Sequence, residues 1–378
     1  MKKSFCLFCA NYLPNLGGVE RYVYNLSKSL IKLGHSVTVV TSNVFDLPSY
    51  EIDENGIEIF RMPCHNFMKG RYPILNKNDE FKELDKKLSE KHFDLVVINA
   101  RFYIHSLYAA SFANKNNIKC ITIEHGSTHL SVDNKILDFA VAQVEHFVTL
   151  LLKKKCSDYY AVSNAAGKWS AHFGIKSKGT LYNAVDVDAV KEASNKKVCD
   201  YRKQYNVPND ATVITFTGRL LKIKGVYELL DAFKQIDCDD LYLFYAGDGP
   251  EMDELKAMAN DRVVFLGQID FDHIVSLLDT SDIYCLPSVS EGMSTSVLEA
   301  IATNAFVITT YNGGARELIT SDEFGIITKS NTTEETKAAI LKALDRDYRK
   351  SACANAYQRL LEGFTWQKTV ERLVEIVK

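Results

Sequence analysis

The sequence predicts an α/β protein made of two doubly wound, Rossmann-like domains, each with a parallel sheet. Short apolar runs alternate with helical patterns along the whole chain, as expected of parallel strands covered by helices on both faces. This rhythm occurs twice, and a polar, lysine-containing segment at 185–197 without clean apolar periodicity separates the two blocks. The 378 residues are enough for two domains of ordinary size.

The first predicted domain, residues 1–184, contains five strands and a clearly marked first helix. Apolar residues recur at helical spacing from Val19 to Leu33, and the helix is expected to end at Gly34. The predicted strands are Phe5–Ala10, Ser36–Thr41, Asp94–Asn99, Lys119–Ile123 and Tyr159–Ser163.

The second predicted domain, residues 185–364, repeats the pattern with a helix after each strand. In open α/β sheets ligands bind outside the carboxyl ends of the strands, so the cleft between the two domains is the expected site. The predicted strands are Val213–Thr217, Leu241–Ala246, Val263–Leu266, Ile283–Leu286 and Phe306–Thr309.

Composition and charge narrow the class of protein. The apolar fraction of 46% and the charged fraction of 25% are ordinary for a soluble globular protein. Residues 1–183 carry 23 Lys and Arg against 17 Asp and Glu, whereas the rest of the chain is acidic. A basic first half suits an anionic membrane surface or a phosphorylated acceptor; the alternative is an uneven division of charge without function. The pI near 6.3 and the lack of aromatic residues among the basic ones argue against nucleic acid as a partner.

The nine scattered cysteines indicate a reducing, cytoplasmic environment rather than a disulfide framework. Cys6 and Cys9 form a CxxC pattern inside an apolar strand, so two buried thiols are favoured over a redox or zinc site. The apolar run after Met1 is too short for a signal peptide or a membrane span. The lysines at 153–155 are expected to end a helix, where cations suit the negative end of its dipole; a basic membrane-binding patch is the alternative.

The stretch EGMSTSVLEAIATN, from Glu291 to Asn304, is the most informative. A hydroxylated residue among Ser294, Thr295 and Ser296 is expected to cap the helix that follows, leaving its first amides to hold an anion. Carboxylates repel phosphates, so Glu291 and Glu299 are expected to accept hydrogen bonds from hydroxyls that flank the phosphates. This combination indicates a sugar nucleotide.

Other polar residues also follow predicted strands. After the strand at 213–217 come Gly218, Arg219, Lys224 and Gly225. Two cations at the mouth of a parallel strand suit a diphosphate; the alternative is a solvated basic loop. Glycine pairs stand at Gly17-Gly18 and 313–314, although the GxGxxG dinucleotide fingerprint is missing.

One histidine, His125, follows the strand at 119–123, a position from which an imidazole can face the cleft; a purely structural histidine is the alternative. Glu124 and His129 are weaker candidates. No His, Asp or Glu grouping has convincing metal spacing, and without a GxSxG motif a Ser-His-Asp triad is unsupported.

In their order along the chain these motifs resemble the retaining GT-B glycosyltransferases of family 4 (glycosyl transferases group 1). The resemblance covers nearly the whole chain, and the pair of glutamates separated by seven residues is its strongest element. Its markers are GGVE at 17–20, EHG at 124–126, AVSNAA at 161–166, NAVD at 183–186, GRLLKIKG at 218–225, AGDGP at 246–250, FLG at 265–267, EGMSTSVLEAIA at 291–302 and NGGARELI at 312–319.

The resemblance implies roles for the matching residues. Glu291 would hold hydroxyls of the donor sugar, Glu299 the ribose, and His125 would sit beside the donor sugar and the attacking hydroxyl. The first domain would face the acceptor, the second would bind the donor, and a closing helix at 365–378 would return to the first domain. The implied catalytic residues are His125, Arg219, Lys224 and Glu291; the implied donor-binding residues are Gly17, Gly18, Arg219, Lys224, Glu291, Gly292, Met293, Ser294, Thr295, Ser296 and Glu299.

The implied activity is transfer of a hexose from a nucleoside-diphosphate sugar, with UDP as the expected nucleotide, to a glycan or lipid-linked glycan in bacterial surface polysaccharide synthesis. Arg219 and Lys224 would stabilise the departing diphosphate, so no metal or other cofactor is expected. Peripheral contact with the cytoplasmic face of the inner membrane is expected as well. The alternatives are a sugar-nucleotide epimerase or hydrolase and a non-catalytic nucleotide-sugar-binding protein.

Overall fold

The computed structural model describes residues 2–15, 17–129, 135–289 and 291–377. The chain divides into two compact units, Met1–Asn183 with Trp366–Lys378, and Ala184–Thr365. The predicted boundaries, after residues 184 and 364, each differ from this division by one residue. Met1, the first residue of the predicted domain 1–184, and Lys378, the last of the predicted helix 365–378, lie outside the described residues.

Unit 1 contains, in its described part, a seven-stranded sheet in the order β3-β4-β2-β1-β7-β8-β9. All neighbours are parallel except β3 and β4, and β5 pairs with β6 in a separate antiparallel ribbon. The strands are β1 (Ser4–Cys9), β2 (Ser36–Ser42), β3 (Tyr50–Ile52), β4 (Glu58–Met62), β5 (Cys64–His65), β6 (Ile74–Leu75), β7 (Leu95–Asn99), β8 (Cys120–Glu124) and β9 (Asp158–Ala161).

Helices cover this sheet. The first ends near the expected place, because Gly34 adopts a positive φ of 87° and its N–H donates to the Ile31 carbonyl at 2.8 Å. The helices are α1 (Gly18–Lys32), α2 (Asp79–Ser89), α3 (Ile104–Lys115), α4 (Lys135–Lys153) and α5 (Asn164–Ser170), with 3₁₀ turns at Phe67–Gly70 and Ala171–Phe173.

Unit 2 contains, among its described residues, a six-stranded, all-parallel sheet in the order β12-β11-β10-β13-β14-β15. Counted from β10, this is the doubly wound order 3-2-1-4-5-6. The strands are β10 (Thr212–Thr217), β11 (Leu241–Ala246), β12 (Val263–Gly267), β13 (Ile283–Leu286), β14 (Phe306–Thr310) and β15 (Ile326–Thr328). The prediction of two doubly wound parallel-sheet domains is confirmed.

Two helices of unit 2 precede β10, and the others follow its strands. They are α6 (Val187–Lys196), α7 (Tyr201–Gln204), α8 (Val226–Lys234), α9 (Met252–Met258), α10 (Phe271–Asp279), α11 (Thr295–Ala302), α12 (Ala315–Leu318), α13 (Thr333–Ala343) and α14 (Arg346–Gly363), with a 3₁₀ turn at Lys222–Lys224.

The chain then returns to unit 1 as α15 (Trp366–Ile376), which packs against α1. The ring of Trp366 lies edge-on to Tyr22 with 5.2 Å between centroids. The hydroxyl of Thr369 donates to the Tyr182 carbonyl at 2.9 Å. The last described helix is therefore part of the core of unit 1.

The interpretation of residues 185–197 as a polar segment without apolar periodicity is wrong. Most of this segment is α6, whose Val187, Val190 and Ala193 are buried. Asp186 caps the helix, since its carboxylate accepts from the Ala189 N–H at 3.1 Å. These three apolar residues recur at every third position, but the lysines between and after them make the segment look polar in the sequence.

Two interpretations about the first unit are confirmed. Helix α4 ends at Lys153, at the start of the lysine run. Cys6 and Cys9 are buried in β1, burial raises the pKa of both thiols, and all nine cysteines are free. No helix in the described part of the chain is long and apolar enough to cross a membrane.

Candidate functional site

The candidate site of unit 2 lies where the strand order of its sheet reverses. β10 and β13 are adjacent there and pair through Ile214 with Ile283 and Thr215 with Tyr284. The chain leaves β10 toward one side of the sheet and β13 toward the other, so the loops after these strands border a crevice that neither fills. The predicted Arg219, Lys224 and Glu291 follow these two strands.

Close backbone contacts hold these loops together. Gly225 has φ of 72°, and a Cβ built on it would lie 2.1 Å from the carbonyl oxygen of Pro287. The N–H of Val289 donates to the Ile223 carbonyl at 2.9 Å. Only glycine allows this approach, so the turn that carries Lys224 is fixed against the end of β13.

A second glycine pair fixes the other side of the Glu291 loop. Gly313 has φ of 71°, and a Cβ there would lie 2.1 Å from the Glu291 carbonyl oxygen. The N–H of Gly314 donates to the Gly292 carbonyl at 2.7 Å. The glycines after β14 therefore position the backbone that carries Glu291.

These loops bring two of the predicted residues into direct contact. The Nζ atom of Lys224 lies 2.5 Å from Oε1 of Glu291, and their side chains are 27% and 16% exposed. The pair stays open to a ligand from the solvent side, and the shielding strengthens its attraction relative to a surface pair.

Helix α11 begins beside this pair with Ser294 as its N-cap residue. Among the described residues of this helix, no first-turn N–H donates a capping hydrogen bond to the Ser294 side chain. Its Oγ instead lies 2.9 Å from Oγ of Ser296, which is 2.7 Å from the buried Tyr284 hydroxyl. The amides of the first turn thus point toward the crevice without a side-chain cap, as an anion site requires.

The remaining residues of unit 2 that are predicted to bind the sugar donor differ in how deeply they are buried. Gly292, Thr295 and Glu299 are half-buried, whereas Met293 is buried beneath them at 6% exposure. Glu299 lies one turn into α11, close enough to Tyr284 to help raise the pKa of that phenol, which burial raises most. Arg219 is exposed, and within the described part of the chain it has no ion pair or hydrogen bond.

In unit 1, Gly17 and Gly18 stand at the start of α1 as predicted, with Gly17 as its N-cap residue. The carboxylate of the buried Glu20 folds back over this end, so that a Cβ on Gly17 would lie 2.2 Å from Oε2 of Glu20. Asn15 donates to the same carboxylate at 3.1 Å, and burial raises its pKa. A carboxylate therefore already interacts with this helix end, which the sequence pattern does not reveal.

His125 follows β8 and is half-buried. Its Nε2 lies 3.1 Å from Oδ1 of Asn99, whose amide nitrogen donates to the Phe8 carbonyl at 3.1 Å. Because Oδ1 of Asn99 is the acceptor in this arrangement, Nε2 carries the proton and Nδ1 keeps its lone pair. Burial lowers the pKa of His125 to about 3, so the ring is neutral at physiological pH.

Glu124 and Arg101 form a buried ion pair behind His125. Nε of Arg101 lies 2.8 Å from Oε2 of Glu124, and both side chains are almost fully buried. Oε1 of Glu124 accepts from the N–H groups of His125 and Gly126 at 3.0 and 2.9 Å, so the pair fixes the backbone that carries His125. Sequence reasoning missed Arg101, although its position directly after β7 was a usable signal.

Two family models cover most of the chain. One, described as Glycosyl transferases group 1, matches residues 199–359, and the other, Glycosyltransferase Family 4, matches residues 16–189.

Two curated relatives match over nearly their whole length. An uncharacterized glycosyltransferase of Methanocaldococcus jannaschii is 25% identical over 390 residues, covering 99% of this chain and 98% of the relative. The N-acetyl-alpha-D-glucosaminyl L-malate synthase of Bacillus anthracis is 24% identical, and the match covers 95% of this chain and 93% of the relative.

Among solved structures, the HepE protein of Anabaena in complex with UDP has a TM-score of 0.76, 19% identity and 99% coverage of both chains. The same protein was also crystallised with UDP-glucose. This likeness shows that the fold is that of GT-B proteins.

Proposed function

The chain belongs to the GT-B glycosyltransferases of family 4, and from this premise we propose that it moves a hexose-type sugar from a nucleoside-diphosphate donor to a hydroxyl group of an acceptor. The observation that carries the proposal is the Lys224–Glu291 contact beside the uncapped start of α11. It supports the proposal because a cation, the first amides of a helix and a carboxylate that can accept from hydroxyls meet at one edge of one sheet.

In the proposed donor complex, the diphosphate interacts with Lys224 and with the first-turn amides of α11, which include those of Thr295 and Ser296. These groups are fixed by the backbone contacts of Gly225 and Gly313. They stabilise the negative charge that develops as the sugar leaves, which is the largest expected contribution to catalysis. The exposed Arg219 adds a bidentate donor from the β10 loop.

The glutamates serve the sugar and the nucleoside. Glu291 accepts hydrogen bonds from sugar hydroxyls while Lys224 orients its carboxylate, and Glu299 accepts from the ribose. A hydrogen bond from a hydroxyl to a carboxylate is stronger than one between two neutral groups. These two residues therefore favour sugar nucleotides, which carry such hydroxyls, over plain diphosphates, which do not.

We propose that His125 contacts the donor sugar as a neutral imidazole. Nε2–H is directed to Asn99, so the Nδ1 lone pair accepts a hydrogen bond from a sugar hydroxyl. The reaction retains anomeric configuration by attack on the face from which the diphosphate departs. No step needs a metal ion, because fixed cations and amides act on the diphosphate.

UDP is the proposed nucleotide, supported by the UDP and UDP-glucose complexes of the HepE protein. The Bacillus anthracis relative is, by its name, a synthase of N-acetyl-alpha-D-glucosaminyl L-malate. For this chain we propose a glycan or lipid-linked glycan as the acceptor, within bacterial surface polysaccharide synthesis.

Peripheral membrane contact is proposed from the outer face of α4. Five large apolar side chains of this helix are at least 48% exposed, and the exposed Lys154 and Lys155 follow its end. An apolar stripe next to lysines suits an anionic lipid surface. The five are Leu137, Phe139, Val144, Phe147 and Leu150.

Sedimentation with vesicles tests this contact. The protein should bind vesicles that contain anionic lipid, and a variant with Phe139→Ser and Phe147→Ser should not. Equal sedimentation of both proteins, or the absence of binding, would remove the membrane from the proposal.

The transferase activity is tested with a panel of nucleotide sugars. A ligand at 100 times its Kd stabilises the folded protein by about 2.7 kcal/mol, which thermal melting detects. The best donor is then incubated with glycan acceptors, and NMR of the product gives the anomeric configuration. Donor turnover without an acceptor would instead support an epimerase or hydrolase, and donor binding without any turnover would support a binding protein.

A further inference from the structure

Three histidines that are distant in sequence meet on the surface of unit 1. His129 lies in the loop after β8, His146 on α4, and His172 in the 3₁₀ turn at Ala171–Phe173. One ring nitrogen from each lies within 4.8 Å of the others. The ring centroids are 5.0 to 5.5 Å apart. The predicted transferase chemistry does not use these residues.

Aromatic side chains contact all three rings. Trp169 stacks on His172 with centroids 4.9 Å apart and planes inclined by 5°. The ring of Phe173 lies 4.7 Å from that of His146 and 5.7 Å from that of His129. These contacts would suit an aromatic cluster as well, so the rings alone do not define a ligand.

A carboxylate distinguishes this cluster from simple packing. Nδ1 of His129 is hydrogen-bonded to Oε2 of Glu145, whose side chain is only 3% exposed. Because a carboxylate accepts here, the neutral imidazole of His129 carries its proton on Nδ1. Its Nε2 atom then has a lone pair that can bind a metal ion. A carboxylate that orients a histidine from behind is the usual support of a metal ligand.

The local charges also favour a cation. Two buried carboxylates, Glu124 and Glu145, lie near one buried guanidinium, that of Arg101, which is paired with Glu124. Within the part of the chain that the structure describes, the ion pair of Glu145 is the one with His129. A metal ion bound by neutral imidazoles, the form that binds metal, would therefore balance the charge of Glu145.

We propose that His129, His146 and His172 bind one divalent transition-metal ion, with Zn²⁺ as the best match. Imidazole nitrogens at about 2.0–2.1 Å are typical zinc ligands, and a tetrahedral site places them about 3.3 Å apart. Small rotations of the side chains, chiefly of the exposed His172, close the present separation. The fourth position faces solvent and takes water.

The bound ion joins the loop after β8 to α4 and to the turn after α5. It is separate from the proposed diphosphate site, which lies in unit 2 and needs no metal. The inference therefore stands or falls independently of the proposed transfer reaction.

The experiment measures metal binding directly on the full chain. Protein stripped with chelator is titrated with Zn²⁺ by calorimetry and with Co²⁺ by visible absorption. We expect one ion per chain, the intense visible bands of four- or five-coordinate Co²⁺, and no thiolate-to-cobalt charge transfer. The last point separates the histidines from the nine free cysteines.

Three variants complete the test. His172→Ala removes an exposed ligand and should weaken Zn²⁺ binding by about 100-fold or more, whereas Glu145→Gln should weaken it by about 10- to 100-fold. His92→Ala, at an exposed histidine outside the cluster, should leave the affinity unchanged. A stoichiometry below one ion, thiolate bands, or equal affinities of His172→Ala and the parent protein would overturn the proposal.

Discussion

The ammonium group of Lys224 contacts the carboxylate of Glu291 at 2.5 Å, although 67 residues separate them in the chain. The contact connects the loop after β10 with the loop after β13. An ammonium group has three donors, so Lys224 can hold Glu291 and still offer N–H groups to a phosphate. In the proposed donor complex the pair would therefore face a ligand that carries phosphate and hydroxyl groups side by side.

Replacing Lys224 with alanine should lower turnover about 100-fold or more, because one donor to the leaving diphosphate is lost. The fold should survive, since the side chain is 27% exposed. Steady-state kinetics and a thermal melt measure the two effects. Lys222→Ala is the matched control in the same turn, and its turnover should stay at the parent level; unchanged turnover of Lys224→Ala would refute the leaving-group role.

Replacing Glu299 with alanine should weaken UDP binding by about tenfold or more, since hydrogen bonds to a charged group contribute about 1.5–3 kcal/mol. Isothermal titration calorimetry gives the affinity. Glu334→Ala, at an exposed glutamate in the first turn of α13, serves as control. If Glu299→Ala binds UDP as well as the parent protein does, the ribose has been assigned to the wrong residue.

Removal of metal should leave the transfer reaction intact. In the proposed mechanism Lys224, Arg219 and the amides of α11 supply the positive potential at the diphosphate, so excess EDTA should not change kcat. A lower melting temperature in EDTA is compatible with this result, because the histidine cluster of unit 1 would lose its ion. Loss of turnover that added Mg²⁺ or Mn²⁺ restores would contradict a metal-independent mechanism.

The buried imidazole of His125 should make the fold sensitive to acid. Its pKa is about 3 in the folded protein against an ordinary 6.5. Below pH 6.5 the unfolded chain takes up a proton that the folded chain rejects, so stability falls as pH falls from 6.5 toward 3. Between pH 7 and pH 5 the free energy of unfolding should fall by about 2 kcal/mol more in the parent protein than in His125→Asn.

Chemical denaturation at both pH values checks the His125 prediction. His92→Asn, at an exposed histidine, should keep the pH dependence of the parent protein. An identical pH dependence of His125→Asn would show that the ring is protonated in the folded state.

Replacing Gly225 with alanine should reduce both stability and turnover. The new Cβ would lie 2.1 Å from the Pro287 carbonyl oxygen, in addition to the strain of φ at 72°. Gly34→Ala is the matched control, because φ is 87° there and no atom lies within 4 Å of the new Cβ. Backbone strain should lower the free energy of unfolding of Gly34→Ala by about 1–2 kcal/mol. The free energy of unfolding of Gly225→Ala should fall by more than that. If both variants lost the same free energy of unfolding, the loops that carry Gly225 and Pro287 would be able to move apart without destabilising the fold.

The strands with continuous apolar sequence were predictable because both faces of a central parallel strand are buried. β11 and β13 begin and end where the sequence predicts. β4 was missed because Arg61 interrupts its apolar pattern. That side chain is buried and pairs with Glu51 at 2.5 Å, which a single sequence does not reveal. β3 and β15 are three residues long, too short for a period to appear.

The residue types of the candidate site were predictable, but their contacts were not. Carboxyl ends of neighbouring strands meet at one sheet edge, which places Lys224 and Glu291 in one region. Their direct pairing depends on the approach of Gly225 to Pro287, a tertiary contact without a local signal. The histidine cluster is similar, because its members come from three elements without any motif spacing.

The return of α15 to unit 1 determines the order in which the protein can be completed during synthesis. The ribosome releases all of unit 2 before Trp366 emerges, so the ring contact with Tyr22 forms last. Until then the nascent chain exposes the face of α1 that this helix covers. Unit 2 begins and ends within one uninterrupted stretch and has no such delay.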